Sequence, residues 1–115
     1  MKIAIYSRFL KKDHISFVQI LFDSLAKRDV ELFIFEEYYQ SFDDRIKIQQ
    51  KLEFFKEHKD LKVQNIDFMI SLGGDGTILD VVTIVRDTGV PIMGINLGRL
   101  GFLAMIEKSR IEQAL

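Results

Sequence analysis

Apolar residues fall in short runs separated by polar turns, and strand-like and helix-like spacing alternate along the chain. Ile3 to Tyr6 is a brief run of strand formers, and Val30 to Phe35 is another, with Glu31 its only charge. Both predict buried strands. Between them Ile15, Val18, Phe22 and Leu25 recur at helical spacing, and Phe17 and Leu21 widen the apolar face. Asp13 is placed to cap that helix. Strand, helix, strand in this order predicts a βαβ unit.

The next stretch is less regular. From Ser41 to Lys59 the chain is heavily charged and Phe42, Ile46, Leu52 and Phe55 are only loosely periodic. This predicts a surface helix or a partly ordered excursion, with Ser41 as a cap and Asp44 three residues on. Phe68 to Leu72 predicts a third strand. Thr77 to Asp87 reads as a helix, although Val81-Val82-Thr83-Ile84-Val85 favours a strand by propensity. Spacing decides for helix: a strand, a glycine turn and a short segment ending at Thr88-Gly89-Val90-Pro91 form a crossover with a glycine terminator. Its apolar character on most sides predicts deep burial.

Pro91 opens a fourth strand, Ile92 to Ile95, followed by a second glycine-bearing loop from Asn96 to Leu103, and Ser109 caps a last helix. Repeated β-α-β units with near-continuous apolar strands predict an α/β fold: a Rossmann-like parallel sheet with helices on both faces. Ligands of such sheets bind at the carboxyl ends of the strands.

Composition narrows the function classes. The 115 residues are 48% hydrophobic and 29% charged, as in ordinary globular proteins, and fit one domain or part of a larger chain. Sixteen Lys and Arg against seventeen Asp and Glu leave a formal charge of −1, so no general basic field holds a nucleic-acid backbone. The absence of cysteine excludes a disulfide framework and thiolate chemistry. No apolar run is long enough for a membrane span, and the N-terminus lacks a signal-peptide core, so the expected location is cytoplasmic. Ile111 to Leu115 stops inside a helical pattern, which reads as the end of a fragment, with residues 1 to 115 a single α/β domain.

Candidate chemistry gathers at Gly73-Gly74-Asp75-Gly76-Thr77, where a strand should turn into a helix. Glycines admit positive φ and close backbone approach, so N–H groups can form a concavity for phosphate. The helix N-terminus favours anions. Asp75 among them is a candidate base that would deprotonate an attacking hydroxyl and help recruit nucleotide-bound Mg²⁺. No GxxxxGK[ST] loop is present, and the spacing after Gly76 fails the dinucleotide GxGxxG pattern. The alternative is a tight turn with Asp75 bonded to local amides.

The second loop has two readings of its own. Its glycines and Phe102 either serve turning and packing, or line the same crevice as Asp75 with Phe102 facing a base. His14, near a helix start, reads as a surface or capping-region residue, and His58 lies in a charged segment; neither reads as a metal ligand. Glu36-Glu37 and Asp43-Asp44 read as solvated ends of elements.

With these residues in view, the chain resembles the NAD kinases, which phosphorylate the adenosine-ribose 2′-hydroxyl of NAD to make NADP. Gly73-Gly74-Asp75-Gly76-Thr77 resembles the family's GGDGT. Pro91-Ile92-Met93-Gly94-Ile95-Asn96 with Gly98-Arg99-Leu100-Gly101-Phe102-Leu103 resembles its second signature. GGDG-type motifs also occur in diacylglycerol and sphingosine kinases and in phosphofructokinases; the second signature selects NAD kinase.

The resemblance implies the N-terminal domain of a two-domain kinase that uses ATP with Mg²⁺ and takes NAD as substrate. Asp75 would be the proton acceptor, and Gly73, Gly74, Asp75, Gly76, Thr77, Asn96 and Phe102 the nucleotide-binding set, with no protein residue assigned to a metal. Many relatives carry a basic or polar residue where this chain has Asp80. The β-rich C-terminal domain that completes the pocket and subunit contacts in the family lies outside this sequence, so a homo-oligomer is expected of the full-length protein and little activity of residues 1 to 115 alone. A non-catalytic nucleotide-binding module is the runner-up, and a lipid or sugar kinase the third reading.

Overall fold

In this computed structural model the described residues are 1–97, the Asp75 side chain excepted. Five strands, β1 (Lys2–Tyr6), β2 (Glu31–Phe35), β3 (Leu52–Phe55), β4 (Phe68–Gly73) and β5 (Ile92–Asn96), form one sheet in the order β3-β2-β1-β4-β5. Every pairing is parallel. The helices are α1 (Ile15–Ala26), α2 (Glu36–Gln40), α3 (His58–Lys62) and α4 (Asp75–Val85).

The alternation of side chains along each strand divides the core in two. On one face Ile3, Ile5, Leu32, Ile34, Ile70 and Leu72 pack with Phe17, Val18, Leu21, Phe22 and Leu25 of α1. On the other, Ala4, Tyr6, Phe33 and Met69 pack with Leu61 of α3 and Val81 and Val85 of α4. Helices therefore cover both faces, as the near-continuous apolar strands predict. The central strand β1 is buried from Ile3 to Tyr6 and holds the two layers together.

Side-chain size along one row of the second face decides where α4 can sit. In register across the sheet stand Phe55, Phe35, Tyr6, Ser71 and Gly94. The first three stack their rings at 5.7 and 4.7 Å between centroids. Small residues then replace the rings on β4 and β5, which leaves room for α4 to approach closely there.

Several local expectations are corrected. Ser41 to Lys59 is not a surface helix capped by Ser41: it holds turns, then β3, an edge strand with Glu53 and Phe54 exposed, and the start of the short α3, which Glu57 and Asp60 cap. Only half its positions face a core, so its apolar pattern is weak. Ser41 follows the end of α2, where its hydroxyl donates to the Tyr38 carbonyl and accepts from Leu10 N–H. Asp13 does not cap α1, because a 3₁₀ turn over Lys12–His14 precedes the helix and puts His14 at the capping position. Helix α4 begins at Asp75, two residues before the predicted start, and ends through a 3₁₀ turn into Gly89 at φ +75°. Nor is α4 deeply buried all round, since Leu79 is 69% and Val82 51% exposed. The predicted helix at Ser109 lies outside the described residues.

Candidate functional site

From β1 the chain crosses to β2 on one side, and on the other side β4 leads to β5. The carboxyl ends of β1 and β4 therefore border the point where the sheet order reverses, and a crevice opens there. It holds about 240 Å³. Ser7, Arg8, Phe9, Lys11 and His14 come from the segment after β1, Gly73, Gly74, Gly76 and Thr77 from the β4–α4 junction, and Leu97 follows β5. A larger hollow of about 440 Å³ lies at α3 and the end of α4, lined by Glu57, His58 and Arg86 among others. Size alone does not make it the site, because it lacks the glycine loop.

The sequence of the loop explains its path. Gly73 ends β4 at φ +152°, a conformation that side chains rarely adopt. Gly74 stays extended at φ −114° and ψ −159°, and its carbonyl accepts from the amides of Thr77 and Ile78, closing the first turn of α4. The earliest amides of that turn have no intrahelical acceptors and form the positive end of the helix. Thr77 is buried, with its hydroxyl against Gly73. Across the crevice, the buried Ser7 hydroxyl donates to the Leu72 carbonyl at 2.7 Å, tying the end of β1 to the end of β4.

The crevice therefore brings together Gly73, Gly74, Gly76 and Thr77. Asp75 is the first residue of α4; its side chain lies outside the described residues. Asn96 ends β5 in register with Gly73, so the second loop departs beside the first. Phe102 and the rest of that loop lie outside the described residues. His14 lines the crevice, its pKa held below the ordinary value by burial and by Lys11, with Asp13 opposing. His58 is on α3, with Nδ1 2.8 Å from the Ile84 carbonyl and Nε2 3.6 Å from Asp87.

A cluster that the sequence reading did not find stands at the rim. Arg8 Nε donates to Asp80 Oδ2 at 2.7 Å, and Tyr6 Oη donates to the same oxygen at 3.1 Å. The hydrogen bond from Arg8 holds the Asp80 carboxyl below its ordinary pKa. Burial, aided by the Asp80 carboxylate, pushes the Tyr6 phenol up to about 12. These residues lie 72 and 74 positions apart, so no local pattern joins them. In the sequence Asp80 stood out only as a departure from the pattern of the resembled family; its partners were not visible.

The sequence model of the ATP-NAD kinase N-terminal domain matches residues 3–115 of this chain. The chain belongs to the NAD kinase family. It is 38% identical over 112 residues to the NAD kinase of Flavobacterium psychrophilum, covering 97% of this chain and 38% of that protein. To the NAD kinase of Christiangramia forsetii it is 36% identical over 115 residues, all of this chain and 39% of the relative. An archaeal NAD kinase, from Methanothermobacter thermautotrophicus, is 28% identical over 116 residues. The chain thus spans about two fifths of the length of the NAD kinases it matches. Among the described residues no helix is long and apolar enough to cross a membrane.

Proposed function

We propose that the full-length protein is an NAD kinase that transfers the γ-phosphoryl group of ATP to the adenosine-ribose 2′-hydroxyl of NAD. The observation that carries this reading is the glycine loop at the reversal point of the sheet, in a chain belonging to the NAD kinase family. Backbone amides of Gly74 to Gly76 offer hydrogen bonds to phosphate oxygens, and the positive end of α4 favours the charge that builds up during transfer.

Asp75 is the proposed base. It takes the proton of the 2′-hydroxyl as that oxygen bonds to the γ-phosphorus, and the bond from phosphorus to the β–γ bridging oxygen breaks, releasing ADP. Asn96 and Phe102, from the second loop, are proposed to complete the nucleotide side of the crevice. Mg²⁺ would arrive with ATP, with Asp75 helping to recruit it, and would neutralise phosphate charge. Among the described residues no three acidic or histidine side chains gather into an ion cage, and Asp80 is committed to Arg8 and Tyr6.

Phosphoryl transfer depends mainly on positioning, so residues 1 to 115 alone are expected to turn over little. A coupled assay of NADP formation with the full-length protein tests the reading. Asp75→Asn should lower kcat by at least about a hundredfold, the usual contribution of a general base, while nucleotide affinity changes little. Equal turnover by the variant removes Asp75 from the role of base. Binding of NAD without any NADP would instead favour a nucleotide-binding module.

A further inference from the structure

Arg8 stands at the rim of the crevice with one edge of its guanidinium already engaged. Nε and Nη2 donate to the two oxygens of Asp80 at 2.7 and 3.3 Å, a side-on bidentate pair, and Nη2 also donates to the Gly76 carbonyl at 3.2 Å. Nη1 has no hydrogen-bond acceptor among the described residues. The side chain is 56% exposed, so that free end is reachable.

Gly76 shows how close the group lies to the loop. A Cβ at position 76 would stand 3.1 Å from Nη2 and 3.4 Å from Nη1. The guanidinium therefore lies against the first turn of α4, and a side chain at position 76 would have to push it aside by a few tenths of an ångström. An exposed Arg–Asp pair adds little to stability. Here the pair has an anchor, because Asp80 is also held by the Tyr6 hydroxyl from the central strand. Tyr6 fixes Asp80, Asp80 fixes Arg8, and the unpaired corner of the fork is left beside the glycine loop.

We propose that Arg8 is a phosphate-contacting residue of this crevice: Nη1 donates to a phosphoryl oxygen of a nucleotide bound along the glycine loop, and Asp80 is its positioning residue. The inference rests on the kinase reading only in expecting a phosphate-bearing ligand here. Because Asp80 neutralises Arg8 overall, the contact works through direction rather than through a net positive field. The phosphate belongs either to the dinucleotide or to ATP, and the two are separable.

The experiment uses full-length protein and the variants Arg8→Gln and Arg8→Lys, with dissociation constants for NAD, ATP and adenosine, and KM and kcat for NADP formation. Arg8→Gln should weaken NAD or ATP about tenfold or more, the loss expected for one charge-assisted hydrogen bond. Adenosine, which has no phosphate, should bind as before. The nucleotide affected identifies the source. Arg8→Lys should recover part of the loss, since it restores charge but not the fork.

Unchanged affinity for both nucleotides, or an equal loss for adenosine, overturns the proposal and leaves Arg8 as packing. Failure of the parent protein to make NADP while it binds NAD and ATP sinks the kinase reading alone, and the binding series still judges Arg8. A parent that binds neither nucleotide overturns both.

Discussion

Gly73 and Thr77 lie too close together for any side chain to stand between them. A Cβ on Gly73 would overlap the Thr77 hydroxyl and come within 2.9 Å of the Thr77 Cβ, and the φ of +152° is itself costly for an L residue. Strand β4 can turn into α4 within one residue because that position is glycine. Gly73→Ala is therefore expected to destabilise the protein by about 2 kcal/mol or more, read as a shift of the urea midpoint. Adding Thr77→Ala removes the hydroxyl but not the backbone strain, so it should recover only part of the loss. Full recovery would mean that crowding alone requires the glycine.

Gly94 makes a milder demand. A Cβ there would fall 2.8 Å from Ile78 Cδ1, the far end of a flexible side chain, with the next nearest atom at 3.8 Å. Gly94→Ala should cost about 1 kcal/mol or less, because Ile78 can turn aside. In an Ile78→Val background, which lacks that methyl, the cost should shrink further, giving a measurable coupling between the sites. Strict additivity would show that α4 does not press on β5 at this point.

These two glycines mark how far the sequence could be read. Strands β1, β2 and β4, whose middles are buried, and the half-covered β5 were legible as apolar runs, and α1 as a 3.6-residue stripe. The edge strand β3 was not, since Glu53 and Phe54 face outward and Phe54 finds its partner in Tyr39, 5.0 Å away across a turn. Helix α2 has only five residues, too few to show a period. At the site, the glycine loop announced itself because its chemistry is local. The Tyr6, Asp80 and Arg8 cluster did not, because it forms only when parallel pairing sets the end of β1 beside β4 and α4. Local signals identified the loop; topology supplied the Arg8–Asp80 pair at its rim.

The same cluster gives the stability a pH signature. Tyr6, with an ordinary pKa of 10.0, is pushed up to about 12 by burial and then by its bond to Asp80. The unfolded chain therefore loses this proton first. Tyr6 contributes fully below about pH 10, and its contribution disappears as the pH rises towards 12. Asp80 behaves in the opposite sense: the Arg8 bond lowers its pKa from 3.8, so its contribution is present above that value and fades as the pH falls through the depressed one. Tyr6→Phe should flatten the alkaline limb of a Tm–pH curve relative to the parent, and Asp80→Asn the acid limb. Parallel curves for parent and variants at both ends would refute the assignment.

Tyr38 offers a test in which removing an atom should not harm the protein. Its ring is 1% exposed and meets Phe42 edge-on at 4.9 Å, yet its hydroxyl has no partner among the described residues. Burial raises its pKa, with no neighbouring charge contributing. A buried hydroxyl without a partner forfeits its bonds to water and gains none in return. Tyr38→Phe keeps the ring and removes the orphan oxygen, so stability at neutral pH should stay level or rise by up to about 1 kcal/mol. Tyr38→Leu, which gives up the aromatic edge contact and leaves a void, should lose about 1 kcal/mol or more. Chemical denaturation of the two variants beside the parent decides the matter, and a clear loss in Tyr38→Phe would show that the hydroxyl holds a bond that matters to the fold.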